Sequence, residues 1–400
     1  MLSDRRIIDI LSEWSFWESD LPSSLTRQVE LPDSLSTDLV LLIQGVRRCG
    51  KSTLLMQLPQ RYQLPLKQCY YCNFEDPRLM SDLSHELLSR IVTLARKTIS
   101  KETPCYFFFD EIQTILGWEK WVHTQLERPK KNYFVLTGSN SSLLSGEFST
   151  ALTGRHATLE LFPFSFLEYQ ALLPEKKIED YLMSGGFPRS LLSPKPYILL
   201  QDYFNDIILR DVLKRVHART PEAIKQVAKI AFESCGSELS YRKIAAVTGL
   251  TVDTVKTYLD ACEHAYLLFS CPYFSFSEKK RLARQRKYYP IDAGLQHAVM
   301  TRTGKNLGKN LELLVFLTLK RNKESVFYWQ DIHHGEVDFV VVRDDKIIPI
   351  QVTWEKPQPR HDRALRCFYE HFPQASEAVF ITQDNIEHFL SQSFDGGNLN

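Results

Sequence analysis

Residues 41 to 58, LLIQGVRRCGKSTLLMQL, constrain this chain more than any other stretch. Gly45 to Ser52 fits G-x-x-x-x-G-K-[ST] in full. The apolar run Leu39 to Ile43 enters it, and the helix-prone run Ser52 to Leu58 leaves it. Strand, glycine-bounded loop and helix in that order make a phosphate-binding loop. The glycines permit the bend that turns successive N–H groups inward, and the helix start adds the positive end of its dipole. Gly45, Arg48, Cys49, Gly50, Lys51, Ser52 and Thr53 are the expected nucleotide-binding positions. Lys51 would reach the outer phosphates, and Ser52 would ligate Mg2+.

Hydrolysis needs a second element, which the segment PCYFFFDEIQ supplies. Cys105 to Phe109 reads as a buried strand ending in Asp110 and Glu111. At that end Asp110 is placed to hold Mg2+ through water, and Glu111 is the natural base to polarise an attacking water. A third strand, NYFVLTGSN, ends in Ser139 and Asn140, which lie on the same carboxyl edge if the sheet is parallel. Either could orient the water or sense the terminal phosphate; a plain polar turn is the alternative. Glu75, in NFEDPRL, ends another strand and would support the site. Arg47 and Arg48 lie within the loop itself, where solvation beside an anion explains them.

The ordered run GVRRCGKSTLL, YCNFEDPRL, FFFDEIQ, LTGSNSSLLS, ALTGRHATLELFPFSFLEY, GGFPRSL and YFNDIILRDVLKR resembles a large group of prokaryotic ATP-binding proteins of the AAA+ superfamily. The resemblance implies an ASCE-type sheet with the sensor strand between the loop strand and the Asp-Glu strand. It also implies that Arg155, in LTGRHATLELFPFSF, contacts the nucleotide phosphates in the same chain or from a neighbouring subunit. ATP is implied over GTP, in keeping with the lack of an N-K-x-D guanine motif. ATP and Mg2+ are thus the expected cofactors.

In the C-terminal half, LSYRKIAAVTGLTVDTVKTYLDACEHAYLLF places apolar residues at Ile244, Ala245, Val247, Leu250, Val252, Val255, Leu259 and Leu267. This spacing predicts helix, a turn at Gly249, and a second helix capped near Thr251. Flanking strands in FSCPYFSFSEKKRLARQRKYYPIDAGL would complete a winged helix-turn-helix. Lys279, Lys280, Arg281, Arg284, Arg286 and Lys287 form a basic segment that could contact DNA phosphates, or stay a solvated loop.

The last segment, a helix in LGKNLELLVFLTLKR, a strand in VFYWQ and a hairpin in GEVDFVVVRDDKIIPIQVTWE, resembles the PD-(D/E)XK nuclease core. Glu312 and Asp338 match its first two acidic positions. Where that family shows Glu-x-Lys, this chain has Gln351-Val352-Thr353. Gln351 offers a neutral carbonyl in place of a carboxylate, and Thr353 cannot supply a cation. Lys356, three residues on, would point to the opposite face of an extended strand. The reading is a nuclease-like fold with a disabled centre.

These readings give an α/β fold class: a P-loop (ASCE/AAA+) three-layer parallel-sheet domain, a winged helix-turn-helix and a small nuclease-like α/β domain. Residues 1–37 are expected to form a helix and linker, 38–165 the ATPase core, and 166–236 a helical connection. The winged helix spans 237–290 and the degenerate nuclease-like domain 291–400. A net charge of +1 gives no whole-molecule field for nucleic acid. Eight irregularly spaced cysteines argue for reduced thiols, and Cys69 and Cys72, three apart on a strand, point to opposite faces. The N-terminus lacks a signal-peptide pattern, and no apolar run reaches the roughly 18 to 20 residues of a membrane span, so the chain is expected in the cytoplasm. The expected function is Mg2+-dependent ATP hydrolysis coupled to a C-terminal module that holds DNA or a protein partner, as a monomer or an oligomer. The alternatives are a nucleotide-gated switch with negligible turnover and an ATP-regulated nuclease.

Overall fold

Five short apolar runs of the N-terminal half become the strands of one sheet. They are β1 (Val40–Gln44), β2 (Cys69–Asn73), β3 (Cys105–Asp110), β4 (Asn132–Gly138) and β5 (His156–Glu160), every neighbouring pair parallel, in the order β2-β3-β4-β1-β5. This computed structural model describes residues 2–15, 24–97, 103–128, 131–140, 152, 154–216, 220–300 and 306–392. It divides into two compact units, Met1–Leu161 and Phe162–Asn400.

In the first unit alternate strand residues go to opposite faces. Val40, Leu42, Cys72, Phe107, Phe109 and Phe134 join one core with the apolar faces of α1 (Asp4–Trp14), α3 (His85–Lys97) and α4 (Trp118–Leu126). Residues of the other parity, Leu41, Ile43, Cys69, Tyr71 and Phe108, are also buried. A sheet covered on both faces has near-continuous apolar strands, which is why its strands stand out in the sequence. Between β1 and α3, helix α2 (Lys51–Arg61) starts directly from the loop at Gly50 and buries Leu54, Leu55 and Leu58.

Helices dominate the start of the second unit: α5 (Phe166–Leu172), α6 (Ile178–Ser184), α7 (Pro196–Ile207) and α8 (Pro221–Glu233). The GGFP segment has a definite role here. Gly185 (φ +68°) and Gly186 let the chain pass so close to Asp292 and Phe164 that a Cβ at either would lie about 2 Å from an oxygen. The Gly186 N–H donates to Asp292, 2.6 Å away, and that carboxylate also caps the helix beginning at Ala293.

Next come α9 (Tyr241–Thr248) and α10 (Val252–His264), with Gly249 at φ +71° between them and Thr251 capping the second helix at the Thr254 N–H. A three-stranded antiparallel sheet follows, β6 (Glu238–Leu239), β8 (Arg286–Pro290) and β7 (Leu268–Cys271) in that order. Val247, one of the apolar positions of the helical pattern, faces solvent at 80% exposure. The segment between β7 and β8 carries a short helix, α11 (Glu278–Ala283), rather than only extended chain.

The described chain closes with α12 (Ala293–Val299), α13 (Leu307–Arg321), β9 (Ser325–Asp331), β10 (Gly335–Arg343), β11 (Lys346–Val352), α14 (Pro359–His371), β12 (Val379–Ile381) and α15 (Ile386–Gln392). The sheet order is β12-β11-β10-β9. Asp344 and Asp345, both at positive φ, make the two-residue turn joining β10 to β11.

Candidate functional site

Parallel strands bring their carboxyl ends to one edge, and that edge gathers the residues singled out in the first unit. The Cys49 N–H bonds back to the Val46 carbonyl, with exposed Arg48 in the left-handed region at φ +72°. Gly45 cannot be replaced without a shift, because a Cβ there would sit 2.0 Å from the Leu161 carbonyl at the end of β5. Cys49 is buried, which raises its thiol pKa, and Arg27 donates to the Cys49 carbonyl at 2.9 Å. Ser52 and Thr53, in the first turn of α2, are half-buried.

Lys51 is 4% exposed, and its ammonium donates to the Gly45 and Val46 carbonyls at 3.0 and 3.1 Å and to the Ser139 hydroxyl at 3.1 Å. Ser139 in turn donates to the Glu111 carboxylate, 2.9 Å away. Three strand ends are thus wired together, β1 through Lys51, β4 through Ser139 and β3 through Glu111. Gln113 also donates to Glu111, whose backbone is left-handed at φ +55°. Asn140 follows Ser139 at the same edge and is half-buried.

Asp110 is fully buried and accepts from the Tyr71 hydroxyl at 2.6 Å and from Thr137. Thr137 accepts in turn from the Glu111 N–H at 3.0 Å. Burial and the adjacent Glu111 charge raise the Asp110 carboxyl above its ordinary value, against hydrogen bonds from Ser52, Thr137 and Tyr71. Burial works the same way on Glu111, but Lys51 and Arg47 outweigh it and hold that carboxyl below its ordinary value. The side chain of Arg47 is 8% exposed and forms a bidentate pair with Glu75, at 3.0 and 3.2 Å.

This donor set suits a magnesium polyphosphate. The Ser52 hydroxyl and Asp110 carboxylate are hard oxygen donors at the same edge, and the loop adds a lysine and the start of an 11-residue helix. Sequence reasoning missed Thr137, Tyr71 and Arg27. The first two sit inside apolar strand runs where nothing marks them, and Arg27 acts from a distant segment.

Arg155 is not brought to this edge. Its carbonyl accepts from the Val40 N–H at the start of β1, and its guanidinium lies 3.6 Å from Glu127. The length of β1, roughly 16 Å at 3.3 Å per residue, separates it from the loop. A contact to nucleotide within the same chain is therefore corrected: Arg155 sits at the amino edge of the sheet, beyond reach.

In the second unit Glu312 and Asp338 do come together, joined by Glu336, with carboxylate oxygens within 4.8 Å of one another. Lys287 needs a correction. It does not extend the exposed basic segment but is fully buried, ion-paired with Glu336 and 3.7 Å from Glu312. Burial opposes its charge, yet Glu312, Glu336 and Asp338 hold its pKa above the ordinary lysine range. Tyr289 donates to Glu312 at 2.7 Å, and the Val352 N–H to Asp338 at 2.7 Å. Gln351 is buried and donates to the Glu336 carbonyl. No helix among the described residues is long and apolar enough to cross a membrane.

Comparison with known proteins agrees with the first unit. The profile of an AAA domain matches residues 37–170, and two domains of unknown function match residues 175–306 and 307–395. An uncharacterized protein of Haemophilus influenzae is 31% identical over 344 residues, covering 82% of this chain and 85% of that protein. One from Methanocaldococcus jannaschii is 31% identical over 374 residues, covering 86% and 80%. The solved structure of Cdc6p from Pyrobaculum aerophilum matches over 56% of this chain and 73% of that one, at 10% identity and a TM-score of 0.27. With its loop, Asp-Glu strand end and AAA domain, the chain belongs to the family of the Haemophilus and Methanocaldococcus proteins and is a nucleotide-binding protein of ATPase type.

Proposed function

We propose that the chain is a Mg2+-dependent ATPase that couples its nucleotide state to a C-terminal binding module. One observation carries the reading: Glu111 stands beside Asp110 at the carboxyl edge, its charge favoured by Lys51 and Arg47 and its carboxylate in hydrogen-bond contact with Ser139. Lys51 and the N–H groups of the loop would hold the phosphates, and Ser52 and Asp110 would hold Mg2+, which supplies charge neutralisation at the phosphoryl oxygens. Glu111 would take the proton of the attacking water, with Ser139 or Asn140 fixing the direction of its carboxylate. Arg155 keeps a role only from a neighbouring subunit.

A second reading, a nucleotide-gated switch with negligible turnover, draws support from the hold that Ser139 and Gln113 have on Glu111. A base engaged by two donors is a weaker base until one lets go. Phosphate release by the wild type, Lys51→Ala and Glu111→Gln separates the two. Hydrolysis requires turnover that falls by about 100-fold or more in both variants; turnover no higher than theirs would sink the ATPase reading and leave the switch.

For the module, α9, α10 and the β6-β8-β7 sheet support a winged helix, and α13 with β9 to β11 supports the nuclease-like core. The exposed side of α10 carries Asp253, Lys256, Thr257 and Asp260, a poor face for DNA phosphates. A DNA contact would fall to Lys279, Lys280 and Arg284, which are exposed. Stimulation of phosphate release by duplex DNA, lost in the triple alanine variant of those three, is the result this contact requires. An active nuclease stays disfavoured, with Gln351 and Thr353 in the place of Glu-x-Lys.

A further inference from the structure

The loop contains a second buried cation, Arg47, to which the hydrolytic reading gives no contact with phosphate. Arg47 is the third residue of the loop, two ahead of Cys49 and three ahead of Gly50, and its side chain is 8% exposed. Both terminal nitrogens of its guanidinium engage Glu75, at 3.2 Å to Oε2 and 3.0 Å to Oε1. Glu75 lies two residues past the end of β2, its backbone N–H fixed by Asn73 at 2.8 Å, with a side chain one-third exposed. A guanidinium this well covered is held in one place by a carboxylate that can itself turn toward water.

The fork of an arginine fits a carboxylate and a phosphate equally well, through two parallel N–H···O bonds. Replacing one such anion by another leaves the guanidinium satisfied throughout, so the exchange carries little desolvation cost for Arg47. The released Glu75 returns to solvent, which its exposure permits. ATP presents a terminal phosphate to this loop and ADP does not. Arg155 lies at the other end of β1.

We propose that Arg47 is the arginine that binds the terminal phosphate within the chain, and that Glu75 is the carboxylate holding it when that phosphate is missing. The pair then discriminates ATP from ADP at the loop itself. Its nearness to the hydrolytic edge follows from the strand register: Asn73, which fixes the Glu75 N–H, stands opposite Asp110 in the β2-β3 pair. The inference rests on the nucleotide-binding reading of the loop and adds to it the residue pair that reads the third phosphate.

The test is equilibrium binding of the β,γ-imido analogue of ATP and of ADP, each with Mg2+, to the full chain by calorimetry. Arg47→Ala is expected to weaken the analogue by about tenfold or more, the scale of a lost charge-assisted hydrogen-bonding pair, and ADP by less than about threefold. Arg47→Lys, which keeps the charge and loses the fork, is expected to fall between. Glu75→Gln is the decisive variant. Removing the competing anion should tighten the analogue and leave ADP unchanged, whereas a carboxylate that only braced the loop would weaken both when lost. Equal losses for the two nucleotides in Arg47→Ala, or a weakened analogue in Glu75→Gln, would overturn the proposal while leaving nucleotide binding intact. A wild type that binds neither nucleotide would overturn the underlying reading along with it.

Discussion

The Thr137 hydroxyl has two jobs at the edge of the sheet: it donates to Asp110 and accepts from the Glu111 N–H. Valine has nearly its shape and neither bond, so Thr137→Val leaves a buried N–H unpaired and a buried carboxylate short of a donor. A loss of about 1 to 3 kcal/mol follows, read as a lower denaturation midpoint, together with slower Mg2+-dependent phosphate release. Unchanged values for both would remove Thr137 from the site. Glu119 gives a pH dependence that can be signed. It is 4% exposed at the start of α4, and burial pushes its carboxyl up to about 7. Since the folded value exceeds the unfolded one, its contribution is fully present below about 4.5 and is lost as the pH rises through about 7. Glu119→Gln should remove this slope, gaining about 1 kcal/mol on the wild type between pH 5 and 8 after allowance for screening; parallel melting curves across that range would contradict it. Asp110 and Glu111 were readable from sequence because a polar pair ending an apolar strand is conspicuous. Thr137 was not, because inside such a run a threonine passes for one more β-branched residue.

At the scale of the element, β8 shows how a composition signal can conceal a strand signal. The run from Lys279 to Lys287 looks basic throughout, but Arg286 and Lys287 are neighbours on a strand and face opposite ways. Lys287 therefore shares a side with Tyr289, and both meet Glu312, a contact that no local pattern encodes. The same blindness applied to Val247, whose place in an apolar period did not mean burial. Gly249 did better: a turn was expected there between two helices, and the structure gives it left-handed backbone at φ +71°. Among the described residues Lys287 is the cation that faces Glu312, Glu336 and Asp338, so Lys287→Met strands three carboxylates in a low-dielectric site. A destabilisation of about 3 kcal/mol is expected, measured by chemical denaturation of the full chain. Burial raises both the Asp338 and Glu336 carboxyls, and losing the lysine raises them further, so the deficit should grow as the pH rises and shrink as it falls. A variant as stable as the wild type, or one whose deficit grows toward acid, would show that the lysine does not neutralise this cluster.

For the whole molecule, the nucleotide edge lies in the unit ending at Leu161, while the helical pair and the carboxylate cluster lie in the unit beginning at Phe162. The first unit was the more readable because its logic is local: each strand announces its own end, and the parallel sheet collects those ends. The second depends on pairings between distant segments, such as Tyr328 with Glu238, which a single sequence does not display. Coupling between nucleotide and module is a claim at this scale, and amide hydrogen exchange can test it. Ligand at 100 times its Kd stabilises the state it binds by about 2.7 kcal/mol, so the imido analogue with Mg2+ should slow exchange in residues 45–53, 110–114 and 137–140. Coupling demands more, a change in α9 and α10 as well, present with the analogue, absent with ADP, and abolished by Lys51→Ala. A ligand shifts a distant equilibrium only by the difference in its affinity for the two states. Protection confined to the first unit would therefore mean that the loop serves an ATPase to which the C-terminal half is indifferent.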